Sequence, residues 1–232
     1  MSEPTPLWRP TPERIERAAI TRYRRWLMER HGLGFPDYES LWHWSVTSIE
    51  AFWESIWQHF EVLNHSAYTR VLDRRVMPGA KWFQGSTLNY AEHALAAAQR
   101  SDAASRPALV SESEIRSRTE LSWAGLASQV GALTRTLDAL GVNAGDRVVS
   151  YMPNIPESVV ALLAAASRGG VWSSCSPDMG PVSVLDRFRQ IEPRVLFAVD
   201  GYRYGGRDYD RRDVVRELVA QLPTLEAVIF VP

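Results

Sequence analysis

The chain has 232 residues, 45% of them hydrophobic and 23% charged, which leaves room for one large globular domain or two modest ones. Its net charge of −1 gives no electrostatic drive toward nucleic acid or an anionic membrane, and no apolar run approaches the roughly 18 residues of a membrane span. The single cysteine, Cys175, excludes an internal disulfide and fits a reducing compartment, and the N-terminus lacks the apolar stretch of a signal peptide, so the expected location is the cytoplasm.

Met1 to Pro10 reads as a loose lead-in. Thr11-Pro12-Glu13 then starts a helix, with a capping hydroxyl, a first-turn proline and an early acid. Ile15, Ala19, Tyr23, Trp26 and Leu27 form its apolar face, and Gly32 and Gly34 end it. The arginines opposite (Arg22, Arg24, Arg25, Arg30) read as a solvated face. Thr47-Ser48-Ile49-Glu50 has the pattern of a capping box. It introduces a helix whose apolar stripe is Ile49, Phe52, Trp53, Ile56, Trp57 and Phe60, a core-type spacing that predicts a packed helical lid. Arg70 to Leu88 reads as irregular. Lys81, the only lysine among 26 basic residues, stands there beside turn signals with no base next to it and reads as a surface residue.

Asn89 to Arg100 predicts a short helix, and the small polar stretch Ser101–Pro107 a domain boundary. The expected division is 1–100 and 101–232. Ala108–Ser111 and Arg118–Leu121 predict a hairpin. Ser122 caps a helix carrying Leu126, Val130, Leu133, Leu137 and Leu140, which closes at Gly141.

From Asp146 onward the pattern changes to buried strands alternating with helices. Arg147–Tyr151 is the first strand, and Pro156-Glu157 opens a helix that is apolar all round. Gly169 and Gly170 stop it. Val171–Ser174 is the second strand. Val184, Leu185, Phe188 and Ile191 line the next helix, and Val195–Val199 is the third strand. A last helix (Val214, Val215, Leu218, Val219, Leu222) precedes the strand Ala227–Val231. This order predicts an α/β fold, a parallel sheet with flanking helices preceded by a helical N-terminal extension. Ligands in such folds bind beyond the carboxyl ends of the strands. The loops there are Met152–Ile155, Ser174–Pro181 and Asp200–Asp210.

Complete chemical motifs are absent from this sequence. It holds neither a P-loop nor a G-x-G-x-x-G after the first core strand. It also lacks H-E-x-x-H, a structural zinc set and a G-x-S-x-G elbow. No catalytic and no metal-ligating residue is assigned.

Longer phrases carry a resemblance. GVNAGDRVVSYMPNIPESVVALLAAASRGGVWSSCSPDMG resembles the opening of the adenylate-forming acyl-CoA synthetases. RHGLGFPDYESLWHWSV, FWESIWQHFEV, MPGAKWFQGSTLNYAEHAL and WSSCSPDMGPVSVLDRFRQIEP narrow the resemblance to the acetoacetate–CoA ligases among them. SSCSPDMG stands where acetate-activating cousins carry a Gly-Gly-Phe type segment. The resemblance covers nearly all of the chain. It implies a helical N-terminal region of the acetyl-CoA synthetase type over 1–100. It also implies the first part of the AMP-binding (adenylation) domain over 101–232.

The family reaction converts ATP and a carboxylate, which the resemblance implies is acetoacetate, into an acyl-adenylate and pyrophosphate, and the CoA thiol then displaces AMP. The resemblance implies ATP, CoA and Mg²⁺ as the cofactors of the whole enzyme. Its partners would be acetoacetate, the remainder of the adenylation domain and a C-terminal domain. The cations and phosphate loop that stabilise the phosphoryl centre have no counterpart in these residues, so the chain is expected to be inactive alone and to bind none of the cofactors completely. A truncation before the phosphate loop, at Pro232, is the expectation. The alternative is a non-catalytic module of the same fold that binds a nucleotide or a partner protein.

The resemblance also names a site. In the acetyl-CoA synthetase relatives a small–Gly–Arg loop after the third core strand contacts a phosphate of CoA. The matching residues here are Tyr204, Gly205, Gly206 and Arg207, with Tyr204 replacing an arginine. Glycines let the backbone approach closely, and an arginine grips phosphate in a fork. A surface turn with a solvated arginine is the other reading of the same residues. Ser176, Pro177 and Asp178 would flank the same channel.

Overall fold

A computed structural model describes residues 7–231. The first six residues of the expected lead-in, and Pro232, lie outside the described residues. The chain divides into two compact units, Met1–Leu88 and Asn89–Pro232.

In the first unit the opening helix is split. Thr11 caps α1 (Pro12–Arg17) as expected, its Oγ accepting the Arg14 N–H at 3.3 Å, and α2 (Ala19–His31) follows an extended Ala18. The break is held by side chains that take up loose carbonyls: Thr21 Oγ1 donates to Ile15 O and an Arg22 N–H to Arg17 O. Gly32, at φ +66°, closes α2 in the left-handed region.

α3 (Tyr38–Thr47) and α4 (Ile49–His59) complete the helical part. The capping box lies one helix earlier than expected. Asp37 and Ser40 form it at the start of α3, with Ser40 N–H donating to Asp37 Oδ1 at 2.8 Å. Ser48 makes no side-chain cap bond. Thr47 Oγ1 donates back to His43 O instead, and Glu50 is drawn to Arg75 at 2.6 Å. Tyr23, Leu27 and Leu41 are the buried centre, with Trp26, Trp44, Phe52 and Ile56 packed around them. Tyr23 OH and Ser55 Oγ share a buried 2.6 Å hydrogen bond. The stretch expected to be irregular contains a short antiparallel pair, β1 (Arg70–Leu72) and β2 (Trp82–Gln84).

The second unit opens with α5 (Tyr90–Leu95), capped by Asn89, and a single 3₁₀ turn over Ala96–Gln99. The Asn89 amide also donates to Ala166 O at 3.0 Å, so this helix belongs with the residues that follow it. The expected hairpin is β3 (Pro107–Ser111) against β4 (Thr119–Ser122), antiparallel. Ser122 Oγ then caps α6 (Trp123–Ala139) by accepting the Gly125 N–H.

The remaining elements are β5 (Arg147–Tyr151), α7 (Pro156–Ser167), β6 (Val171–Cys175), α8 (Pro181–Arg189) and β7 (Val195–Val199). A second antiparallel pair, β8 (Gly201–Tyr204) and β9 (Arg207–Asp210), comes next, then α9 (Arg212–Gln221) and β10 (Ala227–Val231). The main sheet is parallel with order β10-β7-β5-β6. All five residues of β7 are buried. α6 and α7 pack with Val148, Val195 and Phe197 on one face. α8 and α9 pack with Val149, Tyr151 and Leu196 on the other. Each fully buried Leu, Val or Phe contributes roughly 1.5–3 kcal/mol, so two helix layers clamping one sheet are the main source of cohesion.

The Gly-Asp-Arg-Val phrase works at the amino end of this sheet. Gly145 turns at φ +86°. Asp146 accepts the Asn143 N–H at 2.8 Å and pairs with Arg194 at 3.1 Å, and Arg194 also reaches Glu226. The Arg147 guanidinium donates to the carbonyls of Ile191 and Glu192. Three strands are thereby tied together at the end remote from the ligand-binding loops.

Candidate functional site

Strand order locates the site before any side chain is considered. The connection from β5 runs outward through α7 to the edge strand β6. The connection from β7 runs the other way through α9 to β10, on the opposite face. β5 and β7 are neighbours, so their chains part in opposite directions at the carboxyl end, and that divergence opens a crevice. The loop after β5 and the β8–β9 hairpin after β7 both start there.

The stretch expected to be a polar loop is this hairpin. Tyr204 pairs with Arg207 across a two-residue turn. Gly205 has φ +59° and Gly206 φ +72°. Two consecutive left-handed residues make the primed turn that matches strand twist, and glycine adopts it without steric cost. Tyr202 and Tyr209 stack across the ladder, ring centres 5.0 Å apart and planes 14° from parallel. A shallow cleft of about 330 Å³ lies beside the hairpin, lined by Ile115, Asp200, Tyr202, Arg203, Asp208 and Arg212 among others.

The structure brings all four expected residues to the hairpin tip. Tyr204 ends β8 and is 72% exposed. Gly205 and Gly206 are the turn, and Arg207 begins β9, exposed. The arginines around it differ in how they are held. Arg203 is gripped by both Asp208 oxygens at 2.7 and 2.6 Å. Arg212 is gripped by Asp210, whose carboxyl falls to about 2 through those guanidinium bonds and the Arg212 N–H. Arg211 lies over Tyr202 and Tyr209 at 5.2 and 5.6 Å. Among the described residues Arg207 has no ion-pair or hydrogen-bond partner for its guanidinium, so it is the cation left available to an anion.

Ser176, Pro177 and Asp178 are also brought to this region. Arg211 Nε donates to Pro177 O at 2.7 Å, and Tyr151 OH, at the end of β5, is shared between Pro177 O and Met179 O. Burial raises the Tyr151 phenol and keeps it a donor. Pro177 is buried, while Ser176 and Asp178 are exposed. The end of β5, the loop after β6 and the segment after the β8–β9 hairpin thus share one hydrogen-bonded support.

Sequence reasoning did not single out Glu114. It lies in the β3–β4 connection, and its carboxylate accepts the Gly205 N–H at 2.8 Å and the Gly206 N–H at 2.7 Å. Two residues on, Arg116 pairs with Glu157 in the first turn of α7 at 2.7 Å. Nothing local marks Glu114, because its partners are 91 and 92 residues away. The hairpin tip therefore already binds a carboxylate, which shows that its two N–H groups suit an anion with paired oxygens. Among the described residues no group of three or more His, Cys, Asp and Glu is arranged to hold a metal ion.

Family models and known proteins match most of this chain. Residues 38–94 match the acetyl-coenzyme A synthetase N-terminus, and residues 96–231 match the AMP-binding enzymes. The chain is 39% identical over 222 residues to an acetoacetyl-coenzyme A synthetase of Rhizobium meliloti, with 96% of this chain and 33% of that protein aligned. An acetoacetyl-CoA synthetase of Rattus norvegicus is 35% identical over 228 residues, at 97% and 33% coverage. The solved acetoacetyl-CoA synthetase from Streptomyces lividans superposes with a TM-score of 0.92 at 53% identity, covering 99% of this chain and 35% of that one. The chain thus spans about a third of the length of the relatives it matches. With the family match running over more than half of its residues, on a parallel sheet flanked by helices, the chain belongs to the AMP-binding enzymes.

Proposed function

We propose that this chain supplies the helical N-terminal region and the first part of the adenylation domain of an ATP-dependent acid–CoA ligase. The ligase activates acetoacetate as an acyl-adenylate and transfers it to CoA. One observation carries the reading: the similarity to acetoacetyl-CoA synthetases runs through nearly every residue, at 53% identity to the solved example. ATP, CoA and Mg²⁺ serve the whole enzyme. The share of this chain is a CoA contact at Tyr204–Arg207. There the Gly205 and Gly206 N–H groups and the Arg207 guanidinium face one phosphate, and the stack of Tyr202, Tyr209 and Arg211 holds the turn in place. The enzyme works in the cytoplasm, in keeping with a single, buried cysteine.

The remaining catalytic parts belong to residues outside this chain, namely the rest of the adenylation domain and a C-terminal domain. The 232 residues alone make no acyl-adenylate. Pyrophosphate release with ATP, Mg²⁺ and acetoacetate tests both statements. The reading expects turnover when these residues are joined to the remaining two thirds of such a ligase, and background release from the 232 residues alone. Turnover by the 232 residues, or preference of the joined enzyme for another acid, contradicts it.

A further inference from the structure

We propose that Glu114 is a built-in competitor at the hairpin tip, a carboxylate strap that must leave before a phosphate of CoA can take the same two N–H groups. The proposal rests on the reading of Tyr204–Arg207 as a CoA contact and adds a control to it.

The geometry is bidentate. One Glu114 oxygen accepts from Gly205 and the other from Gly206, at 2.8 and 2.7 Å. These are the two N–H groups that a two-residue hairpin turn leaves outside its own ladder. Two oxygens on one carboxylate carbon span nearly the gap of two oxygens on one phosphorus, so donors that fit the first also fit the second. Both ligands are anions, and two anions on one pair of donors repel, so the sites exclude each other. Arg207 at the next position has no carboxylate of its own among the described residues, which leaves the incoming phosphate a cation that Glu114 does not use.

The strap also lies at the surface. Residues 112–115 of the β3–β4 connection are all exposed, Ile115 at 60%. Releasing Glu114 opens no part of the core. The connection stays anchored through Arg116 and Glu157, and its ends are fixed by the β3–β4 ladder. A ligand that binds only the strap-free state has an apparent affinity reduced by the free fraction, and removing the strap restores it.

Equilibrium binding of CoA to the ligase that includes these residues, measured by calorimetry for the parent, Glu114→Gln, Glu114→Ala and Arg207→Ala, tests this. Both Glu114 substitutions are expected to tighten CoA by about tenfold, corresponding to a strap-free state of about a tenth, while Arg207→Ala weakens it. If Arg207→Ala weakens CoA but neither Glu114 variant tightens it, the competitor is overturned and the CoA contact stands. If Arg207→Ala binds as the parent does, or no form binds CoA, the contact itself fails and the competitor with it. The Gly205 and Gly206 amide signals in the CoA complex give a second reading. Coupling of both amides to phosphorus supports displacement, and retention of Glu114 on both overturns it.

Discussion

Arg211 and Pro177 are joined by a 2.7 Å hydrogen bond from the arginine Nε to the proline carbonyl, and that bond ties the end of the β8–β9 hairpin to the loop after β6. The same guanidinium donates to Tyr202 OH at 3.1 Å. One side chain therefore fixes two loops that begin on different strands.

Arg211→Ala should loosen both loops. A hydrogen bond from a charged donor contributes about 1.5–3 kcal/mol, and the contacts over two tyrosine rings add about 0.5–1 kcal/mol at a partly exposed position. A loss of about 2 kcal/mol in denaturant unfolding is expected, with faster amide exchange in 201–210. Unfolding and exchange equal to the parent would show that the bond only decorates an already rigid turn.

The turn itself makes a second prediction. At Gly205, φ +59° suits glycine and asparagine. Gly205→Asn should leave stability nearly unchanged, whereas Gly205→Val should cost about 1–2 kcal/mol. No atom lies within 4 Å of a Cβ placed there, so the difference is backbone strain and not a clash. Hairpin cross-strand contacts seen by NMR check it, and equal tolerance of both substitutions would mean the turn has another form.

How much of this was legible follows from the range of each interaction. The parallel strands and their helices were readable, because burial on both faces leaves continuous apolar runs such as Val195–Val199 and Pro156–Ser167 opens on a proline. The hairpin at Gly201–Asp210 was not. Its strands alternate tyrosine with charge, and read as loop composition. The split at Ala18 was also hidden, since it depends on where Thr21 and Arg22 send their donors. Within the site, the four residues of the tip were named from resemblance. Glu114, Arg211 and Tyr151 act across 26 to 92 residues, and no local pattern encodes such partners. The Gly-Asp-Arg-Val phrase, one part of the long stretch that carries the resemblance, builds the amino end of the sheet, so that part of it is structural.

Asp210 gives a pH test. Its carboxyl sits at about 2 because Arg212 donates to it from the guanidinium and the backbone. The ordinary value of an unfolded aspartate is about 3.9. A depressed folded value means the contribution is complete above about pH 4 and is lost as pH falls through about 2. NMR titration should place the Asp210 midpoint near 2, and Asp210→Asn should flatten the stability profile between about pH 4 and 2. A midpoint near 4 would show that Arg212 does not hold the carboxylate in solution.

The most direct test of the central claim, that Tyr204–Arg207 serves CoA in an acetoacetate-activating ligase, is Arg207→Ala in the ligase that includes these residues. Pyrophosphate exchange with acetoacetate and the CoA dependence of thioester formation would be measured in one preparation. Adenylate formation does not use CoA, so exchange should stay near the parent rate. A charge-assisted phosphate contact is worth roughly 1.5–3 kcal/mol, so the CoA concentration for half-maximal thioester formation should rise about ten- to a hundredfold. An unchanged CoA dependence, or equal damage to both half-reactions, would contradict the assignment.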